Sequence, residues 1–316
     1  MGSGNSTLQK IRPRLKSKSS SKFSSANSNS SSSLKGSAKL APSSPEIPVS
    51  GSSSPRHLPY TDDSFEKEEN VMGDALDYIL RRPVISPVTV APRNVLLITG
   101  HGPNTVPYLT RLYPEAHIHV HDIFRPASSL RLPPRCTGVD LNITEGALPF
   151  PSEAFDLVIF RAVNRATSIE RWNDLIPEAH RILRPNGWFE IIGYSQLNAK
   201  TGPWGRDFFR LYTILSERDH AALHAIDGLD PTIISTGFEN LHHQRYECPI
   251  GPYGGPTGDV MLRMVEQWCE LVVQHTRSTG EDEVADDLQY KADGWLQEVH
   301  EVDSHVFVHA ITSQKP

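Results

Sequence analysis

The 316-residue chain holds 31 Lys and Arg against 37 Asp and Glu, a net charge of −6. That mild balance divides unevenly, since residues 1–58 carry nine basic residues and one acid, Glu46, while the rest carries 22 basic and 36 acidic residues. A body with a net charge of −14 lacks the electrostatic footprint of a nucleic-acid binder, and three scattered cysteines (Cys136, Cys248, Cys269) without a C-x-x-C exclude a disulfide framework and a zinc ribbon.

Residues 1–58 are roughly one-third Ser and cannot bury enough apolar surface to offset the entropy of ordering. A disordered tail is therefore expected, followed by one domain over residues 59–316. The opening Met1-Gly2-Ser3-Gly4-Asn5-Ser6 matches the N-myristoylation pattern, which makes Gly2 a lipidation candidate. Lys10, Arg12, Arg14, Lys16, Lys18 and Lys22 follow closely, and an acyl chain plus a basic cluster supplies the two signals that stable membrane attachment needs. The plainer alternative is a charged linker. No apolar run reaches the ~18 residues that span a bilayer, and no signal-peptide core lies near the start. The expected location is the cytoplasm, with peripheral membrane contact through the tail and the nucleus as an alternative.

From about residue 93 strand-like and helix-like segments alternate, which implies a mostly parallel α/β sheet. Val95-Leu96-Leu97-Ile98 reads as a buried strand, followed by Thr99-Gly100-His101-Gly102-Pro103-Asn104 and a helix from about Thr105 to Tyr113. His117–His121 reads as a second strand that ends at Asp122, 22 residues after Gly100. Glycines after a strand let backbone approach a ligand, and an acid about 20 residues on receives ribose hydroxyls. The third glycine of a dinucleotide fingerprint is missing, since Thr105 stands there. Asn104 tolerates a left-handed backbone better than other side chains and is expected to take a third glycine's place.

His117, His119 and His121 invite a metal reading. Successive same-face positions on a strand are about 6.6 Å apart, too far to converge on one ion with ~2 Å bonds, so packing is expected and no metal is assigned. Phe155–Phe160 is a fourth strand, with Asp156 structural at its start, and Trp188–Ile192 a fifth. Between them Thr167-x-x-Glu170 reads as a capping box, and Arg184-Pro185-Asn186-Gly187 as the stop of its helix. Phe208, Leu211, Tyr212 and Leu215 follow helical spacing within an aromatic segment, 202–215, expected to border the substrate cavity. Met261, Met264, Val265, Trp268, Leu271 and Val272 form a helical stripe read as core. Asn240–Cys248 and His305–Ser313 are expected to form a terminal antiparallel pair.

The stretches LLITGHGPN, LPFPSEAFDLVIFR and EAHRILRPNGWFEII, in this order, resemble class I S-adenosylmethionine-dependent methyltransferases. Within that superfamily Arg161, the W-x-E at Trp188–Glu190, Cys248-Pro249-Ile250-Gly251 and Lys315-Pro316 resemble the fungal LaeA-like methyltransferases, several of which are regulators. The resemblance implies a Rossmann-like three-layer α/β sandwich. Its seven-stranded sheet would be mostly parallel with an antiparallel terminal pair, and helical insertions at about 200–230 and 257–300 would cap it. It implies S-adenosyl-L-methionine as cofactor, with Gly100, Gly102 and Asn104 under its methionine and ribose, Asp122 on the ribose hydroxyls and Asp140 near the adenine amine. Ile98 stands where relatives carry an acid that helps organise the methionine ammonium, and Pro103 removes an N–H from the loop. Weaker cofactor binding is expected, restored in part by Ile98→Asp.

No general base stands out, and no catalytic residue is assigned. Methyl transfer from a sulfonium can rest on in-line positioning and desolvation. Tyr194 and His220 are candidate polar groups of the pocket. The leading reading is a methyltransferase acting on a small molecule or protein, in regulation of secondary metabolism or development. The rival is an inactive regulatory or scaffold subunit within a protein complex. A nicotinamide oxidoreductase fits less well, because the third glycine is missing.

Overall fold

The computed structural model describes residues 63–82, 84–100, 102–195, 200–218 and 222–316. The proposed tail, its Gly2 and the candidate His220 lie outside these residues. The chain enters as helix α1 (Asp63–Leu80), whose Ala75, Leu76 and Leu80 recur at helical spacing and are buried. Strand β1 (Asn94–Thr99) is buried along its whole length. A 3-10 turn (Gly102–Thr105) leads into α2 (Val106–Leu112), then β2 (His117–Asp122) and the short β3 (Cys136–Gly138). Strand β4 (Phe155–Arg161), α3 (Ile169–Ile182) and β5 (Leu183–Ser195) complete the parallel part. Then come α4 (Pro203–Arg218), a 3-10 segment (Leu223–Gly228), α5 (Asp230–Ser235) and β6 (Glu239–Ile250). Helices α6 (Gly255–Ser278) and α7 (Asp282–Glu298) precede β7 (Ser304–Gln314).

The seven strands form one sheet in the order β3-β2-β1-β4-β5-β7-β6. β7 runs antiparallel to both neighbours, so β6 points the same way as the first five. The expected architecture is found, and β7 alone runs against the rest. Side chains alternate across the pleat. One face presents Val95, Leu97, Leu157 and Ile159 to Val106 and Leu109 of α2, and the other buries Leu96, Ile98, Val158 and Phe160 in the layer that holds Trp172 and Leu175 of α3. Asp156 sets the relative start of two central strands: Oδ2 accepts from the N–H groups of Arg93 and Asn94 at 2.8 and 2.9 Å, and Oδ1 from Arg184 Nη1 at 2.9 Å.

One local expectation changes. Ser168, not Thr167, caps α3 by accepting from Arg171 N–H at 3.1 Å, and the Thr167 hydroxyl donates to Val163 O at 3.0 Å. Helix α3 stops just before Arg184–Gly187, as expected, and that stretch lies within β5, where Asn186 turns the chain at φ +64° and the β4 register shifts between Phe155 and Leu157. An asparagine is the side chain that best bears such a turn. Two of the three strand histidines, His119 and His121, are buried and packed as anticipated. His119 meets Phe150 and Phe155 edge-on at 6.0 and 5.5 Å, and His121 Nδ1 lies 3.1 Å from Val139 O.

The 202–215 segment is a packed helix. Phe208 of α4 is fully buried between Trp268 of α6 and Trp295 of α7, each 5.4 Å away between ring centroids. Glu298 of α7 caps the start of α4 by accepting from Trp204 and Gly205 N–H at 3.2 and 3.1 Å. The aromatic rings expected along a cavity wall are thus engaged with one another. Phe208→Ala should cost about 3–5 kcal/mol of stability, the usual loss for emptying a buried ring site, measured as a lower denaturation midpoint with an unchanged slope.

Candidate cofactor site

Strands β1, β2 and β4 end at one level. Thr99 pairs with Asp122 on one side and with Arg161 on the other, so the three side chains form a row on one face at the carboxyl edge of the sheet. All three are fully buried. Ligands of open α/β sheets bind at this edge.

Gly100 follows β1, and its N–H donates to Arg161 O at 2.8 Å. A Cβ at Gly100 would stand 2.7 Å from the backbone oxygen of Ala162 and 2.9 Å from Ile123 Cδ1. The residue is glycine because the turn after β4 crosses so closely over it. Ala162 makes that crossing in a left-handed conformation, φ +55° and ψ +27°, which costs a non-glycine residue on the order of 1–2 kcal/mol. Such strain concentrates at ligand sites.

Asp122 ends β2, and its Oδ1 accepts from Phe124 N–H at 2.9 Å, fixing the carboxylate against its own turn. Asp140 lies two residues beyond β3, and its Oδ1 accepts from Ala127 N–H at 2.7 Å. Each acid thus ties down a connection at the carboxyl edge with one oxygen. Gly102 opens the 3-10 turn, and Asn104 lies within it. Asn104 also borders a cleft of about 410 Å³ with Val106, Arg125, Ser129 and Arg131 among its other walls, within the size range of small-molecule sites.

The charged centre was not legible in advance. Arg161 is wholly buried, and its Nη2 donates to Asp77 Oδ1 of α1 at 2.5 Å. Its Nε and Nη1 have no hydrogen-bond partner among the described residues. Glu190, one step back along the same face of β5, is also buried, and its Oε2 accepts from Ile85 N–H, Ser86 N–H and the Ser86 hydroxyl, each at 2.9 Å. Burial raises the Glu190 carboxyl pKa, while those hydrogen bonds and the nearby Arg161 charge oppose the rise. In the sequence Arg161 served only as a family mark, and nothing in its neighbourhood names Asp77 as its partner across 84 residues.

Several expectations are corrected. Asn104 is not left-handed, for it sits in a right-handed 3-10 turn and is absent from the residues with positive φ; the left-handed residue at this edge is Ala162. Ile98 does not face the row of Thr99 and Arg161. It is fully buried beside Phe160, which pairs with Ile191, in the apolar layer on the opposite face. Tyr194 is half-buried, and its backbone oxygen accepts from Asn164 Nδ2 at 2.8 Å. Among the described residues no group of His, Cys, Asp or Glu is arranged to hold a metal ion.

Two substitutions check this geometry. Gly100→Ala should destabilise by about 1–3 kcal/mol, the usual cost of overpacking, because the obstructing atom is backbone; equal midpoints for variant and wild type would remove the close crossing as the reason for glycine. Ile98→Asp should fail to improve any ligand affinity and should lower thermal stability, since it places a carboxylate in the apolar layer without a partner.

Residues 102–191 match a family model described as a methyltransferase domain. In three dimensions the chain is similar to the cyclopropane synthase MmaA2 from Mycobacterium tuberculosis, at 15% identity and a TM-score of 0.52, covering 80% of this chain and 94% of that one. It is also similar to the mycolic acid cyclopropane synthase CmaA1, at 12% identity and a TM-score of 0.50, with coverage of 80% and 94%. These two likenesses establish a shared fold. Comparison with curated proteins gives no match. The matched range holds Asp122 and Arg161, and Thr99 stands three residues before it.

Proposed function

We propose that the chain is an S-adenosyl-L-methionine-dependent methyltransferase whose cofactor lies across the carboxyl ends of β1, β2 and β4. The observation that carries this reading is the buried row of Asp122, Thr99 and Arg161, whose carboxylate and guanidinium stand on one face of the sheet and fall within the range matched by the methyltransferase model. Its two charges suit the two ends of an adenosyl amino acid. Asp122 would receive the ribose hydroxyls, and Asp140 would approach the adenine amine. Arg161 has Nε and Nη1 to offer the α-carboxylate, and Asp77, its ion-pair partner, would serve the α-ammonium. Asp77 would then supply from α1 the acid that the sequence lacks at Ile98. CmaA1, which shares the fold, was solved with S-adenosylhomocysteine.

When bound, the cofactor supplies an electrophilic methyl group on a sulfonium. What the protein contributes is placement. The strained turn at Ala162 and the crossing at Gly100 hold the ends of β4 and β1 together, and the buried walls exclude water, so an acceptor can be held in line with the methyl carbon. No proton-transfer residue is assigned.

The acceptor is read as a small molecule or a protein. The motifs shared with LaeA-like methyltransferases support a role in regulation of secondary metabolism or development, within a protein complex. The Gly2 pattern and its basic cluster support a cytoplasmic protein with peripheral membrane contact. The second reading, an inactive regulatory subunit, is favoured by Ile98, an apolar core residue where relatives carry an acid.

Calorimetric titration with S-adenosylhomocysteine tests the proposal. Asp122→Ala should weaken binding about ten- to a hundredfold, the loss of a hydrogen-bonded charged group being about 1.5–3 kcal/mol. Arg161→Lys keeps a cation for Asp77 but loses the planar fork, and should weaken binding about tenfold with the fold intact. No heat at millimolar ligand, from protein with native circular dichroism, would replace the enzymatic reading with the regulatory one.

A further inference from the structure

A second polar assembly lies away from the cofactor residues, on β5, β7 and β6. His309 of β7 is 1% exposed, and its Nδ1 lies 2.7 Å from His243 Nε2 of β6. His243 Nδ1 lies 2.8 Å from Asp230 Oδ1 at the start of α5, where the Asp230 side chain is 40% exposed. On the other side His309 Nε2 stands 3.4 Å from Asp227 Oδ1, an ion-pair approach without the alignment of a hydrogen bond. Asp227 Oδ2 accepts from the Ser195 hydroxyl at the end of β5. Five residues from five elements thus form one chain. Among the described residues this face also carries Arg245, opposite His309 in register with its guanidinium 3.4 Å from the centre of the Phe307 ring, and farther along Glu247 and His305, whose Oε1 and Nδ1 stand 3.4 Å apart.

The ring contact constrains the protons. A 2.7 Å approach between two ring nitrogens needs one N–H and one bare acceptor. Burial, then the neighbouring His243 and Arg245, hold the His309 pKa down to about 3, against the opposing pull of Asp230. His309 is therefore a neutral ring, which accepts at Nδ1 from His243 Nε2–H and turns Nε2–H toward Asp227.

We propose that the Asp230–His243–His309–Asp227–Ser195 chain is a proton-operated latch that fastens the 223–228 segment and the start of α5 to the end of β5, and that a proton on His309 opens it. A proton on His309 Nδ1 would set two N–H groups against each other at the 2.7 Å contact. The fastened segment covers β5 closely: a Cβ at Gly193 would stand 2.9 Å from Ile226 Cδ1. It also joins the connection after β4, because Ala222 N–H donates to Thr167 O at 2.9 Å. Opening would uncover the end of β5 beside the carboxyl edge. The sign follows from the lowered pKa of a base: the latch is closed above the unfolded histidine value, about 6.5, and its stability is lost as pH falls from there toward the folded value. The latch stands on the fold alone and holds whether or not the chain transfers methyl groups.

Hydrogen exchange of amides 222–236 in the full chain without ligand, from about pH 7.5 to about pH 5 and corrected for intrinsic rates, is the test. One extra proton taken up on opening makes protection fall about tenfold per pH unit below about 6.5. Protection in β1 and β4 should stay level over that range, and His309→Gln should flatten the response of 222–236. Nitrogen NMR of the wild-type rings near neutral pH should find His309 protonated at Nε2 only. A doubly protonated His309, a level wild-type profile, or an unflattened variant would overturn the latch. Should His309→Gln not fold, the wild-type ring spectrum and exchange profile decide alone.

Discussion

A cation without water at the end of a central strand is the constraint around which this molecule is arranged. Arg161 is fully buried at the terminus of β4, and removing such a charge from water costs several kcal/mol unless partners compensate. Compensation comes from outside the strand, from Asp77 on α1 directly and from the Glu190 charge through space. Glu190 in turn depends on the backbone at Ile85 and Ser86. Helix α1 and the segment after it are therefore tied to the sheet by charge as well as by Leu76 and Leu80. Removing one member leaves its partners as buried polar groups without compensation, which destabilises more than the pair stabilises.

The same arrangement explains what the sequence could and could not convey. Strand runs such as Val95–Ile98 and Leu157–Phe160 announce themselves because burial on both faces demands unbroken apolar residues, and the order of strands and helices followed from them. Asp122 stood out because it ends a strand at legible spacing, whereas Asp140, two residues beyond β3, was named only through the resemblance. Asp77 was not named, since its role is set by a contact spanning 84 residues and α1 carries only a loose apolar stripe. The left-handed turn was placed at Asn104 on local propensity, yet the strain falls on Ala162, where the tertiary crossing over Gly100 dictates the backbone. Propensity identifies which residue bears a turn cheaply, whereas packing decides where the turn must be.

Histidine and aromatic clusters show the same division. Alternation in β7 was plain from the sequence, but the pairing of His309 with His243 needs the β6 register, and that of Asp227 with Ser195 needs the 3-10 segment laid on β5. In α4 the helical spacing of Phe208, Leu211, Tyr212 and Leu215 was readable, while the ring partners Trp268 and Trp295 come from α6 and α7. Helical period tells which face is apolar and is silent on what covers it.

The placement of β7 between β5 and β6 also dictates how the sheet can be assembled during synthesis. As the ribosome extends the chain, β5 is made long before residues 304–314, and its outer edge waits without a partner while α4, β6, α6 and α7 emerge. Strand β6 cannot join the sheet in that interval, because its neighbour is β7. The nascent protein therefore carries an open, largely apolar strand edge, the feature that invites wrong pairing and chaperone capture. Closure is a single late insertion that pairs both flanking strands at once.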